Sequence, residues 1–182
     1  MLTIVFLLAF QSGPESTILN FTSTQTNFEI IQTFKSGAFV NSFANEMLHD
    51  RKLEIAIKAK NPHSNKNSYD KTVYTRIQMW QFDFETKEKC KQATDSLLRC
   101  FPSDCAKIKR QIDRGLKITP SIWILTDDKI FIARTACEQV DKKWTDFKRE
   151  FVAKFADRES EIIVTQCGKL TWTTKEIIKN TP

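Results

Sequence analysis

An α+β fold, an antiparallel sheet with helices packed on one face, is predicted by the pattern of the chain from Val73 onward. Three observations carry this. Val73–Glu85 (VYTRIQMWQFDFE) is a long run rich in β-branched and aromatic residues. Ser121–Thr126 and Lys129–Ala136 are two more such runs, separated only by Asp127-Asp128, where aspartate suits a tight turn. Trp144, Phe147, Phe151 and Phe155 then recur at the three- and four-residue spacing of an apolar helical stripe.

The remaining elements follow in order. Glu15–Thr26 is polar and rich in Ser and Thr, the composition of a linker or an edge strand, and Asn20-Phe21-Thr22 is a glycosylation sequon. Asn27–Leu48 suits one or two helices, with Phe28, Ile31, Phe34 and then Phe39, Phe43, Met47 three or four apart and Gly37 as a break. Leu53–Ala59 suits a strand or a helix end. Lys60–Lys71 (KNPHSNKNSYDK) lacks apolar periodicity and is a loop. After the Val73–Glu85 strand, Thr86 caps a helix whose inner face is Cys90, Ala93, Leu97, Leu98 and Phe101, ended by Pro102. Ser103 caps a second, shorter helix stopped at Gly115. Past the hairpin, a helix spans about Asp141 to Ala156. Glu161–Cys167 is a strand, Gly168-Lys169 a turn into Leu170–Thr174, and Lys175–Asn180 a last helical turn. The body thus reads β-α-(α)-β-β-α-β-β, an order that resembles the ferredoxin-like arrangement. That arrangement hosts many unrelated functions and fixes no chemistry.

Within the first strand, Trp80, Phe82 and Phe84 alternate on one side and Ile77 and Met79 on the other, which predicts a central strand covered on both faces ahead of the alternative, a strand with one face used for binding. Apolar residues make up 41% of the chain, with 14 Phe and 4 Trp, enough to build a core and to exclude disorder over most of its length.

The domain organisation predicted is a signal peptide over residues 1–13, an N-terminal extension over 14–72 with helices and a polar loop, and an α+β main body over 73–182, with 27–72 joining the body in one compact unit. Leu2–Phe10 is a nearly unbroken apolar run of the length of a secretory leader and too short to span a bilayer as a helix. No Lys or Arg precedes it, and the competing reading is a buried first strand. A leader implies a secreted or periplasmic location, where cysteines oxidise; a buried strand implies a cytoplasmic one. No transmembrane segment is expected, and the oligomeric state is left open.

The five cysteines are Cys90, Cys100, Cys105, Cys137 and Cys167. Cys90 lies on a helix inner face and fits a buried thiol. The disulfide candidates are Cys100 with Cys105, which flank Pro102 at a helix corner, and Cys137 with Cys167, which each end a strand. No Cys-x-x-Cys occurs, and Cys100 and Cys105 are spaced too widely for the low-pKa redox motif.

Scarcities bound the chemistry further. The four glycines, Gly13, Gly37, Gly115 and Gly168, are far apart, so neither a P-loop nor a dinucleotide fingerprint can be written. The two histidines, His49 and His63, have no partners at zinc-ligand spacing. Asp83 and Glu85 point to the same side of a strand end, where a carboxylate pair serves a cation or a sugar, although a solvated strand end explains them as well.

The formal net charge is +6. Residues 1–72 hold 7 Lys/Arg against 6 Asp/Glu and residues 73–182 hold 21 against 16, so the excess lies in the body. Its densest patch is Lys107, Lys109, Arg110, Arg114 and Lys117, diluted by Asp104 and Asp113, which fits a solvated helix face better than a phosphate-binding one. Trp144, Phe147 and Phe151 sit at core spacing and offer no base-stacking platform.

The functional expectation is an exported small domain acting by protein or ligand binding, with no catalytic site, no metal and no cofactor. The alternatives are a hydrolase using carboxylates or a lone cysteine, and an intracellular nucleic-acid-binding domain acting through the patch at 107–117.

Overall fold

A computed structural model describes residues 17–31, 49–62, 72–100, 119–167 and 169–173. The elements are α1 (Ile18–Ser23), β1 (Phe28–Ile31), β2 (Arg51–Ala59), β3 (Arg76–Asp83), α2 (Lys87–Cys100), β4 (Ser121–Leu125), β5 (Lys129–Arg134), α3 (Lys142–Phe155), β6 (Glu161–Gln166) and β7 (Lys169–Thr173), with a 3-10 turn at Cys137–Gln139 ahead of α3. The strands form one antiparallel sheet in the order β1-β2-β3-β5-β4-β6-β7. The α+β class holds.

The strand order departs from the ferredoxin-like one. There, the strand after the second helix returns to the free edge of the first body strand. Here that edge of β3 is taken by β2, and β6 pairs with β4 instead. This has a consequence for the helices. β3 and β4 are parallel with β5 between them, and β5 and β6 are parallel with β4 between them. Both crossovers move the same way across the sheet, but they start from strands of opposite direction. Right-handed connections then put their helices on opposite faces.

The packing agrees. On one face α3 buries Trp144, Phe147, Phe151 and Phe155 against Ile77 and Met79 of β3, Ile122 and Ile124 of β4, and Phe131 of β5. α1 joins the same cluster through Ile18 and Phe21. α2 lies over the other face, where Lys91 and Thr94 border a cavity with Leu125 and Glu161, side chains that share that side. The expectation of helices on one face is therefore corrected. β3 is central and buried on both sides, with Ile77, Met79, Trp80 and Phe82 all at 0% exposure.

Two predicted elements change type. Phe28–Ile31, expected to begin a helix, is an edge strand paired with β2 from Phe28↔Ala59 to Ile31↔Ala56. Ile18–Ser23, expected to be linker or strand, is a short helix whose cap, Thr17, accepts a hydrogen bond from Asn20 N at 3.2 Å. Its Ile18 N–H donates to Gln81 Oε1 at 3.0 Å, which fastens α1 to β3. The other positions agree to within a few residues. α3 starts at Asp141, whose Oδ1 accepts from Trp144 N at 3.1 Å and from Thr75 Oγ1 at 3.0 Å, so one carboxylate caps the helix and ties it to the start of β3. The leader region, residues 32–48, the second helix after Ser103 and the residues after 173 lie outside the described residues. Among the described residues no helix is long and apolar enough to cross a membrane.

Cys90 on α2 is 1% exposed and donates its thiol proton to Thr126 O at 3.3 Å. Burial pushes its pKa from 9.0 up to about 11. Between those values the folded protein keeps a proton that the unfolded chain has released, so its contribution to stability is whole below pH 9 and is lost as pH rises through 11. Urea denaturation at pH 8 and pH 10 is expected to show a loss of stability that Cys90→Ala reduces; equal losses in both proteins would contradict the burial of this thiol.

Candidate functional site

The face opposite α3 is apolar under α2 and polar at its other end. The alternation of β3 places Arg76, Gln78, Trp80 and Phe82 on that face. The register with β5 sets Arg134 beside Gln78 and Ile132 beside Trp80. Arg134 Nε donates to Gln78 Oε1 at 3.1 Å, and its guanidinium carbon lies 5.6 Å from the centre of the Trp80 ring, a cation–π distance. Burial lowers the pKa of Arg134, opposed by the charge of Glu54 on β2. An arginine remains protonated through such a shift. No ion pair to Arg134 forms among the described residues, whereas Asp83, Asp141 and Asp146 each hold one with a Lys or Arg.

Arg134 and Gln78 open onto a cavity of about 260 Å³ walled also by Arg76, Thr135, Cys137 and Glu138. Backbone and hydroxyl bonds hold the wall: Thr135 Oγ1 donates to Arg76 O at 2.7 Å, Arg76 N to Gln139 Oε1 at 3.1 Å, and Thr135 N to Pro120 O at 2.9 Å. Beneath it runs an ordered polar chain. Trp123 Nε1 donates to Ser121 Oγ at 2.9 Å, and Thr165 Oγ1 donates to Thr119 O at 2.7 Å. With its own proton committed, Thr165 accepts from Ser121 across 2.7 Å. Every proton there has a destination.

Two buried donors on the same face do not. Among the described residues Gln78 Nε2 and Trp80 Nε1 have no hydrogen-bond partner, although the two residues are 3% and 0% exposed. A buried donor left without a partner costs about 1–3 kcal/mol.

Of the residues singled out in the sequence, Cys137 and Cys167 come together at the cavity wall, with sulfurs 2.19 Å and Cα atoms 5.8 Å apart. Cys100 ends α2, but its side chain, Cys105 and the basic patch at 107–117 lie outside the described residues, as does His63. Asp83 and Glu85 do not converge on a shared ligand. Asp83 pairs with Arg51 at 2.9 Å and accepts from Gln81 Nε2 at 2.6 Å, while Glu85 pairs with Lys89 at 2.7 Å. Asp127 pairs with Lys87, and Asp128 with Lys129 at 3.3 Å, at the hairpin turn. His49 packs edge-on against Phe82 at 5.3 Å. Among the described residues no group of three or more His, Cys, Asp and Glu gathers as a metal site would require.

Arg134, Gln78 and Trp80 as a unit were not singled out in the sequence. One signal was present: Gln78 lies between Ile77 and Met79 in a strand expected to be covered on both sides, so its amide had to be buried. The arginine that meets it lies 56 residues away and is set there only by the β3–β5 register.

No family model, no curated protein and no solved structure matches the chain.

Proposed function

We propose that the protein is an exported α+β domain that acts by binding a small ligand, without catalysis, in the cavity beside Arg134. The observation that carries this is a half-buried guanidinium next to a buried amide donor, the first with no ion-pair partner and the second with no hydrogen-bond partner among the described residues. Clefts with a few convergent polar groups over an apolar base are where small ligands bind. The Cys137–Cys167 pair supports an oxidising location, since such bonds persist outside the reducing cytosol. Binding is favoured over covalent catalysis because the thiol of Cys90 is buried and held protonated at neutral pH, the wrong state for a nucleophile. The carboxylates of Asp83 and Glu85 are tied to separate cations and are not poised as an acid–base pair.

The test is the intact mass of protein expressed with its own N-terminus, taken before and after reduction and alkylation. A mature chain that begins near Pro14, with Cys137 and Cys167 protected until reduced, is the expected result. An uncleaved Met1 with five alkylatable cysteines would overturn export.

A further inference from the structure

We propose that the cavity beside Arg134 takes the carboxylate of a small organic monoanion, held by the Arg134 guanidinium and the Gln78 amide together. This rests on the reading of the cavity as a ligand site and names the chemistry of that ligand. Arg134 spends its Nε–H on Gln78 Oε1 and keeps the N–H groups of its two Nη atoms, which form no ion pair among the described residues. Those groups form a planar fork that matches a carboxylate in two parallel hydrogen bonds. The fork is held in place: the bond to Gln78 fixes it on one side and the Trp80 ring supports it from below. Gln78 also lines the cavity, and its Nε2, buried just behind that wall, is a third donor that nothing among the described residues uses. A carboxylate is acceptor-only with room for about four such bonds, so all three donors can be met by one group.

Charge narrows the class. The cavity is lined by Arg76 and Arg134 against Glu138, a balance of one positive charge. That balance is met by a monoanion, whereas a phosphate monoester at about −1.5 to −2 would bring excess negative charge beside Glu138. Size narrows it further. At about 260 Å³ the cavity lies just below the range of about 300–1,000 Å³ typical of sites for drug-sized ligands. Ala136, Thr119 and Thr135 line the cavity beside the body of such a ligand. An amide that, among the described residues, bonds just the arginine it holds in place is poorly explained as a stability feature, because the vacant donor costs free energy that a Leu at that position would avoid.

The experiment is NMR titration of the full chain, following the Arg134 Nε–H and Gln78 Nε2–H signals with sodium butyrate, sodium benzoate, inorganic phosphate and neutral benzamide. Butyrate or benzoate is expected to shift both signals saturably, with phosphate and benzamide weaker by tenfold or more. Gln78→Glu keeps the side-chain shape and the acceptor for Arg134 but replaces the donor with a negative oxygen, and should weaken benzoate at least tenfold in a folded protein. Arg134→Lys keeps the charge but loses the fork and should weaken it similarly. Saturation by phosphate or benzamide in preference to the carboxylates would overturn the carboxylate assignment while leaving a binding cavity. No saturable shift with any of the four would overturn both, and benzoate binding untouched by Gln78→Glu would overturn the role of the amide.

Discussion

Replacing Phe151 with alanine is expected to destabilise the protein by about 3–5 kcal/mol, the range for deleting a fully buried aromatic ring. The ring is 0% exposed and stands in the middle of the aromatic ladder on α3, with Phe147 at 5.5 Å and Phe155 at 4.9 Å. It also meets Phe21 of α1 edge-on at 5.7 Å. Its loss removes packing from α3, from the sheet beneath and from the short helix that covers its flank. The cavity left cannot close easily, because its neighbours are held from two directions: Phe155 is stacked on Phe131 of β5 at 4.3 Å, and Ile18 is fastened to Gln81 by a backbone bond. Urea denaturation should show a lower midpoint with an unchanged slope. Leu19→Ala, on the half-exposed outer side of α1, is the control and should stay within about 0.5 kcal/mol of the parent. A loss below about 1.5 kcal/mol for Phe151→Ala would mean that α1 and α3 do not pack over the sheet in solution as described.

What was legible in the sequence was whatever has a strong local period or a definite turn. β3, the β4–β5 hairpin and α3 could be read because alternation in Val73–Asp83, the aspartates at 127 and 128, and the Trp-Phe-Phe-Phe stripe each point one way. α1 was missed because six residues are fewer than two turns, too short for a period. Its order comes from distant partners, Gln81 and the three phenylalanines that surround Phe21. β1 was misread because Phe28, Ile31 and Phe34 happen to fall three apart. Pairing with β2 decides the conformation there, and a four-residue strand carries too little alternation to announce it. The edge chosen by β6 was not legible either. Local pattern is indifferent to whether β6 docks on β3 or β4; the prior claim of β2 on β3 decides it, and with it the side on which α3 sits relative to α2. The candidate site failed to show for the same reason. Neither Gln78 nor Arg134 is unusual alone, and only the register makes them neighbours.

Breaking the Cys137–Cys167 bond should lower stability by about 3.5 kcal/mol, the chain-entropy value for cysteines 30 residues apart. The bond joins the start of the turn before α3 to the chain just beyond β6, so the loop it closes contains all of α3 and all of β6. Most of the effect belongs to the unfolded chain, which gains freedom on reduction, while the apolar core under α3 is untouched. A local consequence separates this account from general loosening. The 3-10 turn at the cavity wall is held by two short-range bonds, Gln139 N to Ala136 O at 3.0 Å and Val140 N to Cys137 O at 3.3 Å. In the Cys137→Ser/Cys167→Ser protein those two amides should exchange hydrogen much faster, while the amides of Ile132 and Ala133 in the centre of the sheet follow only the global loss. Because Cys137 and Glu138 wall the cavity, the freed turn should also weaken benzoate without altering which signals it shifts. Equal stability in the oxidised and doubly substituted proteins would mean that the two sulfurs are not bonded in solution. Uniform acceleration across the sheet would instead mean that the turn is coupled to the core and does not open as a separate unit.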